Sequence, residues 1–252
     1  MPPLALEGVS KRFGGVLAVS DVSILIPPGR VTGLIGPNGA GKTTLVNLIT
    51  GMLKLSTGRI RIGDTDISKT LPYQIARLGI SRTYQNIRLL TEATVIENVM
   101  IGFHRHEKAS MLAGMLSLPR SREETRALRE RAVRLLQRFQ MERFADYPAG
   151  ALAYGHQRRV EMMRAVALEP SILLLDEPVA GMNDVEAADL GCIFQELAES
   201  GIGLLLIEHN VRFVTRMSHE IYVLDAGRII SSGTAQTVLK EKAVIAAYLG
   251  TR

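Results

Sequence analysis

Residues 36–44 read GPNGAGKTT directly after the apolar run VTGLI, and satisfy G-x-x-x-x-G-K-[ST] through Gly36, Gly41, Lys42 and Thr43. Glycines at this spacing let backbone N–H groups turn inward around phosphate oxygens. Lys42 can then reach the β and γ phosphates of a nucleotide and the Thr43 hydroxyl can ligate Mg²⁺. The helix expected to follow presents its positive end to the same anion. A phosphate cradle hydrolyses its ligand only with a metal and an oriented water, and ILLLDEP offers Asp176 and Glu177 where an apolar run ends. That is the edge at which parallel sheets bind ligands. Asp176 is expected to hold Mg²⁺ through water and Glu177 to polarise the attacking water. LLLIEHN ends a second such run and makes His209 a candidate γ-phosphate contact. The competing readings, a Gly-rich turn and a solvated acidic turn, lose weight because the two motifs occur together. His104 and His106, in a polar stretch, and His219, ahead of a strand, are expected at the surface.

These groups need elements to carry them. VTGLIG, SILLLDE, GLLLIEH and EIYVLDAGRII alternate with helical stretches, the order of an α/β sheet. SILLLD and GLLLI are almost continuously apolar, as strands covered on both faces are, and are expected to be central and parallel. LALEGVS, VSILI and GRIRIGD read as a half-exposed antiparallel patch. From about 92 to 150 the pattern turns helical, with a Gly, Met and Leu rich stretch, KASMLAGMLSLP, ahead of an arginine helix. In that helix Leu128, Ala132, Leu135, Leu136 and Phe139 share one face, and Ser121 with Glu124 reads as a capping-box start.

One helix start is odd. LAYGHQRRVEMMRAVAL places Val160, Met163, Ala167 and Leu168 at helical spacing, so a helix begins near Tyr154 or Gly155. Its cap positions hold Ala153, Tyr154 and Gly155, none of which carries the Ser, Thr, Asp or Asn oxygen that usually meets the free N–H groups.

Composition narrows the function classes. With 252 residues, 46% hydrophobic and 22% charged, the chain suits one large globular domain rather than disorder. No apolar run approaches the ~20 residues of a membrane helix, and MPPLALEG does not read as a signal peptide, so a cytosolic protein is expected. The single cysteine, Cys192, is expected to be a buried inert thiol. The net charge of +5 comes with eight arginines between Arg120 and Arg143. Aromatic side chains are not interleaved with them as nucleic-acid stacking platforms would be, so a solvated helix face is preferred and no nucleic-acid partner is expected.

The order of these motifs along almost the whole chain resembles the nucleotide-binding subunits of ATP-binding cassette (ABC) transporters. The resemblance implies a P-loop NTPase α/β fold with a mostly parallel central sheet, an N-terminal antiparallel β patch and an inserted α-helical subdomain. The corresponding boundaries are a core of 1–91 and 160–252 and a helical part of 92–159 ending in the signature segment. It implies ATP and Mg²⁺ as ligands. Gly36, Pro37, Asn38, Gly39, Ala40, Gly41, Lys42, Thr43 and Thr44 form the phosphate loop. Phe13, in KRFGG, stands for the aromatic that stacks on adenine. Gln85, in RTYQN, stands for the glutamine that senses Mg²⁺ and γ-phosphate, so Thr43, Gln85 and Asp176 are the metal set, and Lys42, Gln85, Glu177 and His209 the catalytic set.

By the same resemblance LAYGH is the signature, usually LSGGQ, which closes over nucleotide held by an opposite subunit in a head-to-tail dimer. Ala153, Tyr154, Gly155 and His156 are then contacts made in trans. Ala153 stands for the serine, Tyr154 for the first glycine and His156 for the glutamine; Asn183, in AGMN, stands for an aspartate of the loop between subunits, which puts communication between sites in doubt. The missing hydroxyl removes a hydrogen bond on the order of 1.5 to 3 kcal/mol if charge-assisted.

Within the family RTYQNIRLL, TEATVIENVMIG, LAYGHQRR, DEPVAGMN and the closing AAYLG resemble the ATP-binding subunit of branched-chain amino acid importers. That implies two integral membrane permease subunits, an extracytoplasmic solute-binding protein, and a second ATPase subunit, as a heterodimer or a homodimer, on the cytoplasmic side of the membrane. The alternatives are the similar ATPase of lipopolysaccharide export, an amide or urea transporter, or a DNA-repair or translation ATPase; the last usually carries long coiled coils or two cassettes.

Overall fold

The computed structural model describes residues 1–83, 87–103 and 119–249. Gln85, His104, His106 and most of the KASMLAGMLSLP stretch lie outside them.

Two sheets build the core. Strands β1 (Leu4–Phe13), β2 (Val16–Ile26), β4 (Thr57–Ile62) and β5 (Thr65–Asp66) form an antiparallel sheet in the order β2-β1-β4-β5. The larger sheet runs β10-β9-β3-β8-β7-β6, from β3 (Val31–Ile35), β6 (Ile80–Arg82), β7 (Ile172–Asp176), β8 (Gly203–Ile207), β9 (Glu220–Asp225) and β10 (Arg228–Gly233). Every pairing in it is parallel except β9 with β10. The expected run EIYVLDAGRII is therefore a hairpin and not one strand: Ala226 and Gly227 both take positive φ and turn the chain. The short β6 was not expected.

Alternation explains the apolar runs. Leu173 and Leu175 of β7 and Leu204 and Leu206 of β8 point into one hydrophobic cluster, and Ile172, Leu174, Leu205 and Ile207 into the other. A strand buried on both faces has no polar position to spare. One cluster is closed by the antiparallel sheet and helix α1 (Lys42–Ile49), through Leu45, Val46, Leu48 and Ile49. The other is closed by α3 (Val95–Gly102), α4 (Pro119–Arg138), α5 (Tyr154–Ala167), α6 (Asp184–Glu199) and α7 (Val211–Met217). Short helices α2 (Pro72–Arg77), α8 (Ala235–Val238) and α9 (Lys242–Leu249) and the 3-10 turns Glu142–Phe144 and Ala149–Ala151 complete the described elements.

The arginine helix buries the face its spacing indicated, with Ala132, Leu136 and Phe139 at 0% exposure. Its start is different. The described helix already includes Pro119, so Ser121 lies within it instead of capping it. The expectation for Cys192 also fails. It sits on the solvent side of α6 and is exposed, while its neighbours Gly191 and Ile193 are buried. A helix face is decided by about 100° per residue, so adjacent positions can part company. His219 is exposed as expected, but it is not idle: its Nδ1 accepts from the Val31 N–H at 3.1 Å and its own N–H donates to the Val31 carbonyl at 2.8 Å, fastening the start of β3.

Candidate nucleotide site

Strand order brings the chemistry together. β3, β8 and β7 are neighbours, and at their carboxyl ends stand the phosphate loop, Glu208 with His209, and Asp176 with Glu177. The loop turns through Gly36, Gly39 and Gly41 at φ 158, 83 and 105°. A Cβ on Gly36 would meet the Leu224 carbonyl at 2.0 Å, and one on Gly41 would meet the Ala18 carbonyl at 2.6 Å. A Cβ on Gly39 would meet nothing within 4 Å, so that side of the loop faces open space. A loop packed tightly behind and open in front is the shape of an anion cradle.

Lys42 lies across it. Its ammonium donates to the Gly36 carbonyl at 2.7 Å and the Pro37 carbonyl at 3.0 Å. Burial pushes its pKa below the ordinary lysine range, and the nearby Glu177 and Asp176 carboxylates oppose that shift. Gly41 caps α1 with no side-chain bond, and no acidic residue sits in the first turn. The helix dipole there is left to act on the cradle. Thr43, in that turn, is exposed.

Asp176 ends β7 at 7% exposure, its Oδ2 paired with Arg82 Nη2 at 2.7 Å. Arg82 also donates to Asn47 Oδ1 at 2.6 Å, and the Asp176 N–H donates to Thr83 Oγ1 at 3.2 Å. Glu177 is held with positive φ, 47°, a strained conformation for a non-glycine residue. Its N–H donates to the Ile207 carbonyl at 2.9 Å, locking the turn to β8. His209 Nδ1 is 3.9 Å from Glu177 Oε1 and 3.7 Å from Glu208 Oε2. Lys42, Asp176, Glu177 and His209 thus share one edge of the sheet.

Three further residues stand at this edge, to which the motif stretches containing them, LAYGHQRR, LLLIEHN and AAYLG, assign no role. Arg158, 1% exposed on α5, donates through Nη2 to the carbonyls of Asp176 (2.5 Å) and Glu177 (3.1 Å) and through Nη1 to Glu161 Oε2 (2.6 Å). Glu208, 0% exposed, accepts from the Val179 N–H at 3.0 Å and from the His209 N–H at 3.2 Å. Tyr248, on α9, receives a hydrogen bond from the Gly36 backbone while burial raises its phenol pKa. A charged residue ending an apolar run was the available signal for Glu208, since such groups are buried only when paired; Arg158, in the polar stretch GHQRR, offered none.

Ala153 is the N-cap of α5 and makes no side-chain capping bond. Gln157 serves the preceding loop instead, its Nε2 donating to the Leu152 carbonyl at 2.8 Å. Tyr154 is 49% exposed; a Cβ on Gly181 would lie 3.4 Å from its ring, so the signature abuts the AGMN loop of its own chain. His156 packs on Phe144 with ring centroids 4.6 Å apart, and burial, then Arg159 and Arg143, lower its pKa. Asn183 caps α6: its Oδ1 accepts from the N–H groups of Val185 and Glu186, both at 3.0 Å, in a capping box with Glu186. Phe13 ends β1 at 45% exposure with the Lys11 ammonium 5.0 Å over its ring.

A phosphate cradle at the end of a central parallel strand, with two carboxylates and a histidine on the strands beside it, defines a P-loop ATPase of the cassette type. The chain belongs to the ABC transporter ATP-binding family, whose model matches residues 19–180. Two relatives are each 40% identical over 250 residues, 99% of this chain and 98% of theirs. They are the high-affinity branched-chain amino acid transport ATP-binding proteins BraF of Pseudomonas aeruginosa and LivG of Escherichia coli. Among solved structures, the ADP conformation of MJ1267, an ATP-binding cassette of an ABC transporter, is 35% identical with a TM-score of 0.86 over all of both chains.

Proposed function

We propose that this ABC ATPase powers import of branched-chain amino acids from the cytoplasmic side of the plasma membrane. In this reading it works with two integral permease subunits, an extracytoplasmic solute-binding protein and a second ATPase subunit. Membership of an ATP-binding family supports ATP as the nucleotide of the cradle. The observation that carries the hydrolytic reading is the convergence of Lys42, Asp176, Glu177 and His209 on one sheet edge, with Lys42 feeling both carboxylates. The identity to two branched-chain importers over nearly full length supports the solute class; the LAYGH signature, unlike an LSGGE form, speaks against lipopolysaccharide export.

The donor set suits Mg²⁺, which keeps several waters and takes one or two protein oxygens with substrate phosphates. Thr43 Oγ1 and an Asp176 oxygen would hold it, with Gln85 by resemblance; Arg82 holds the other side of the Asp176 carboxylate. Bound with nucleotide, the metal neutralises phosphate charge. Gly36 to Thr44 hold the phosphates, Lys42 swings its ammonium from the loop carbonyls to the β and γ oxygens, and Phe13 stacks on the base. Glu177 orients and polarises the attacking water, and His209 contacts the γ-phosphate. Ala153, Tyr154, Gly155 and His156 would meet the nucleotide of the second ATPase subunit with uncapped N–H groups. The 92–159 segment is read as the helical subdomain that receives the permease.

Glu177→Gln tests the chemistry. ATP turnover of the assembled transporter should fall by at least about a hundredfold while ATP binding persists and the ATPase subunits accumulate as a closed dimer. Unchanged turnover would overturn the assignment of Glu177. Uptake of labelled leucine into cells lacking this chain tests the solute; normal uptake would refute it.

A further inference from the structure

Glu208 directly precedes His209 in LLLIEHN and is the most deeply buried carboxylate at the site, at 0% exposure. Burial alone would drive such a group toward its neutral form, and its pKa is raised accordingly. Its two oxygens are spent on two different loops. Oε1 accepts from the N–H of Val179, two residues beyond Glu177, at 3.0 Å, and Oε2 accepts from the N–H of His209 at 3.2 Å. Oε2 also lies 3.7 Å from His209 Nδ1, whose other carboxylate neighbour is Glu177 Oε1 at 3.9 Å. The imidazole therefore stands between an exposed-side carboxylate and a buried one, and the buried one is itself fixed from both flanks.

We propose that Glu208 is a positioning residue for ATP hydrolysis: its carboxylate clamps the turn after Glu177 to the turn carrying His209, holding the two reacting side chains in register. This rests on the reading of Glu177 and His209 as the hydrolytic pair. The clamp is a backbone device. A side chain of lesser reach, or one with a donor on one branch, can satisfy one loop but not both. Glutamine would aim an NH₂ group at one of the two N–H donors, opposing two donors in a buried place. Because the Glu208 carboxylate bonds to the turns at Val179 and His209 and not to the phosphate loop, loss of the clamp should spare nucleotide binding and affect the chemical step.

The test uses the transporter assembly purified through a tag on this chain. For Glu208→Gln, kcat for ATP should fall by at least about tenfold while KM stays within about threefold, the pattern of an interaction made for the transition state. Hydrogen exchange read by mass spectrometry should accelerate in peptides covering 176–183 and 205–211 and stay unchanged in those covering 31–49. Glu208→Asp keeps the charge but shortens the reach, and should show the same split if the glutamine variant does not fold. An unchanged kcat, a rise in KM at constant kcat, or exchange that accelerates equally in 31–49 would each overturn the proposal. His209→Ala separates the two readings: if it leaves turnover intact, the hydrolytic role of His209 fails, whereas the exchange result still judges the clamp.

Discussion

Arg158→Met puts a number on the link between the signature helix and the carboxylate strand. Arg158 and Glu161 are 1% and 8% exposed and meet at 2.6 Å. Removing one member of a buried pair costs about 3–5 kcal/mol, because the other charge is left desolvated. The bonds to the Asp176 and Glu177 carbonyls add about 1 kcal/mol each. The sum, about 5–7 kcal/mol, is of the order of a typical domain's whole stability of about 5–15 kcal/mol. With a slope of about 3 kcal/mol per molar, the urea midpoint should fall by about 2 M. The double variant Arg158→Met with Glu161→Leu replaces the pair with apolar groups and should recover most of that midpoint, since buried pairs are often replaceable by packing. Turnover should not recover with it, because no donor then holds the carbonyls that set the backbone of Asp176 and Glu177. Equilibrium urea unfolding paired with steady-state ATPase assays makes the comparison. A midpoint shift below about 0.3 M for the single variant, or full turnover in the double variant, would refute the reasoning.

Asn183→Ala should lose about 1 kcal/mol of stability by removing the cap of α6, whereas Asn183→Asp should keep it, both read by thermal melts; equal melts for all three would deny the capping role. Ala153→Ser supplies the missing cap oxygen to α5 and should raise stability by about 1 kcal/mol, a gain that no change in melting temperature would exclude. His156 should make the fold sensitive to acid. Its folded pKa lies below the 6.5 of the free side chain, so between those values the unfolded chain binds more protons, and stability is lost as pH falls below 6.5. Arg159 and Arg143 reinforce the shift and Glu186 opposes it. His156→Gln should flatten the melting temperature between pH 7.5 and 5.5, and an unchanged slope would count against the account.

Much of the site was written locally. The phosphate loop is legible because a strand, a run of glycines and a helix start are adjacent in sequence, and the sterics at Gly36 and Gly41 leave few other residues able to stand there. Both-face burial of β7 and β8 could be read from runs with no polar position. The uncapped start of α5 was visible from Ala153, and the arginine helix from its spacing.

What the sequence could not decide depends on which distant segments become neighbours. Nothing near Asp176 indicates that Arg82 will hold its carboxylate, because that pair forms only when β6 is laid beside β7. Arg158 reads as one more arginine of a basic run until α5 is packed against the end of β7, and Glu208 as an ordinary acid beside a histidine until Val179 arrives from the turn after the neighbouring strand. Cys192 shows the same limit from the other side, its exposure set by the way α6 is rotated against the sheet. Short-range geometry fixes which residues can do chemistry; the partners that hold them in place are supplied by parallel strand pairing, which joins segments that no local spacing rule connects.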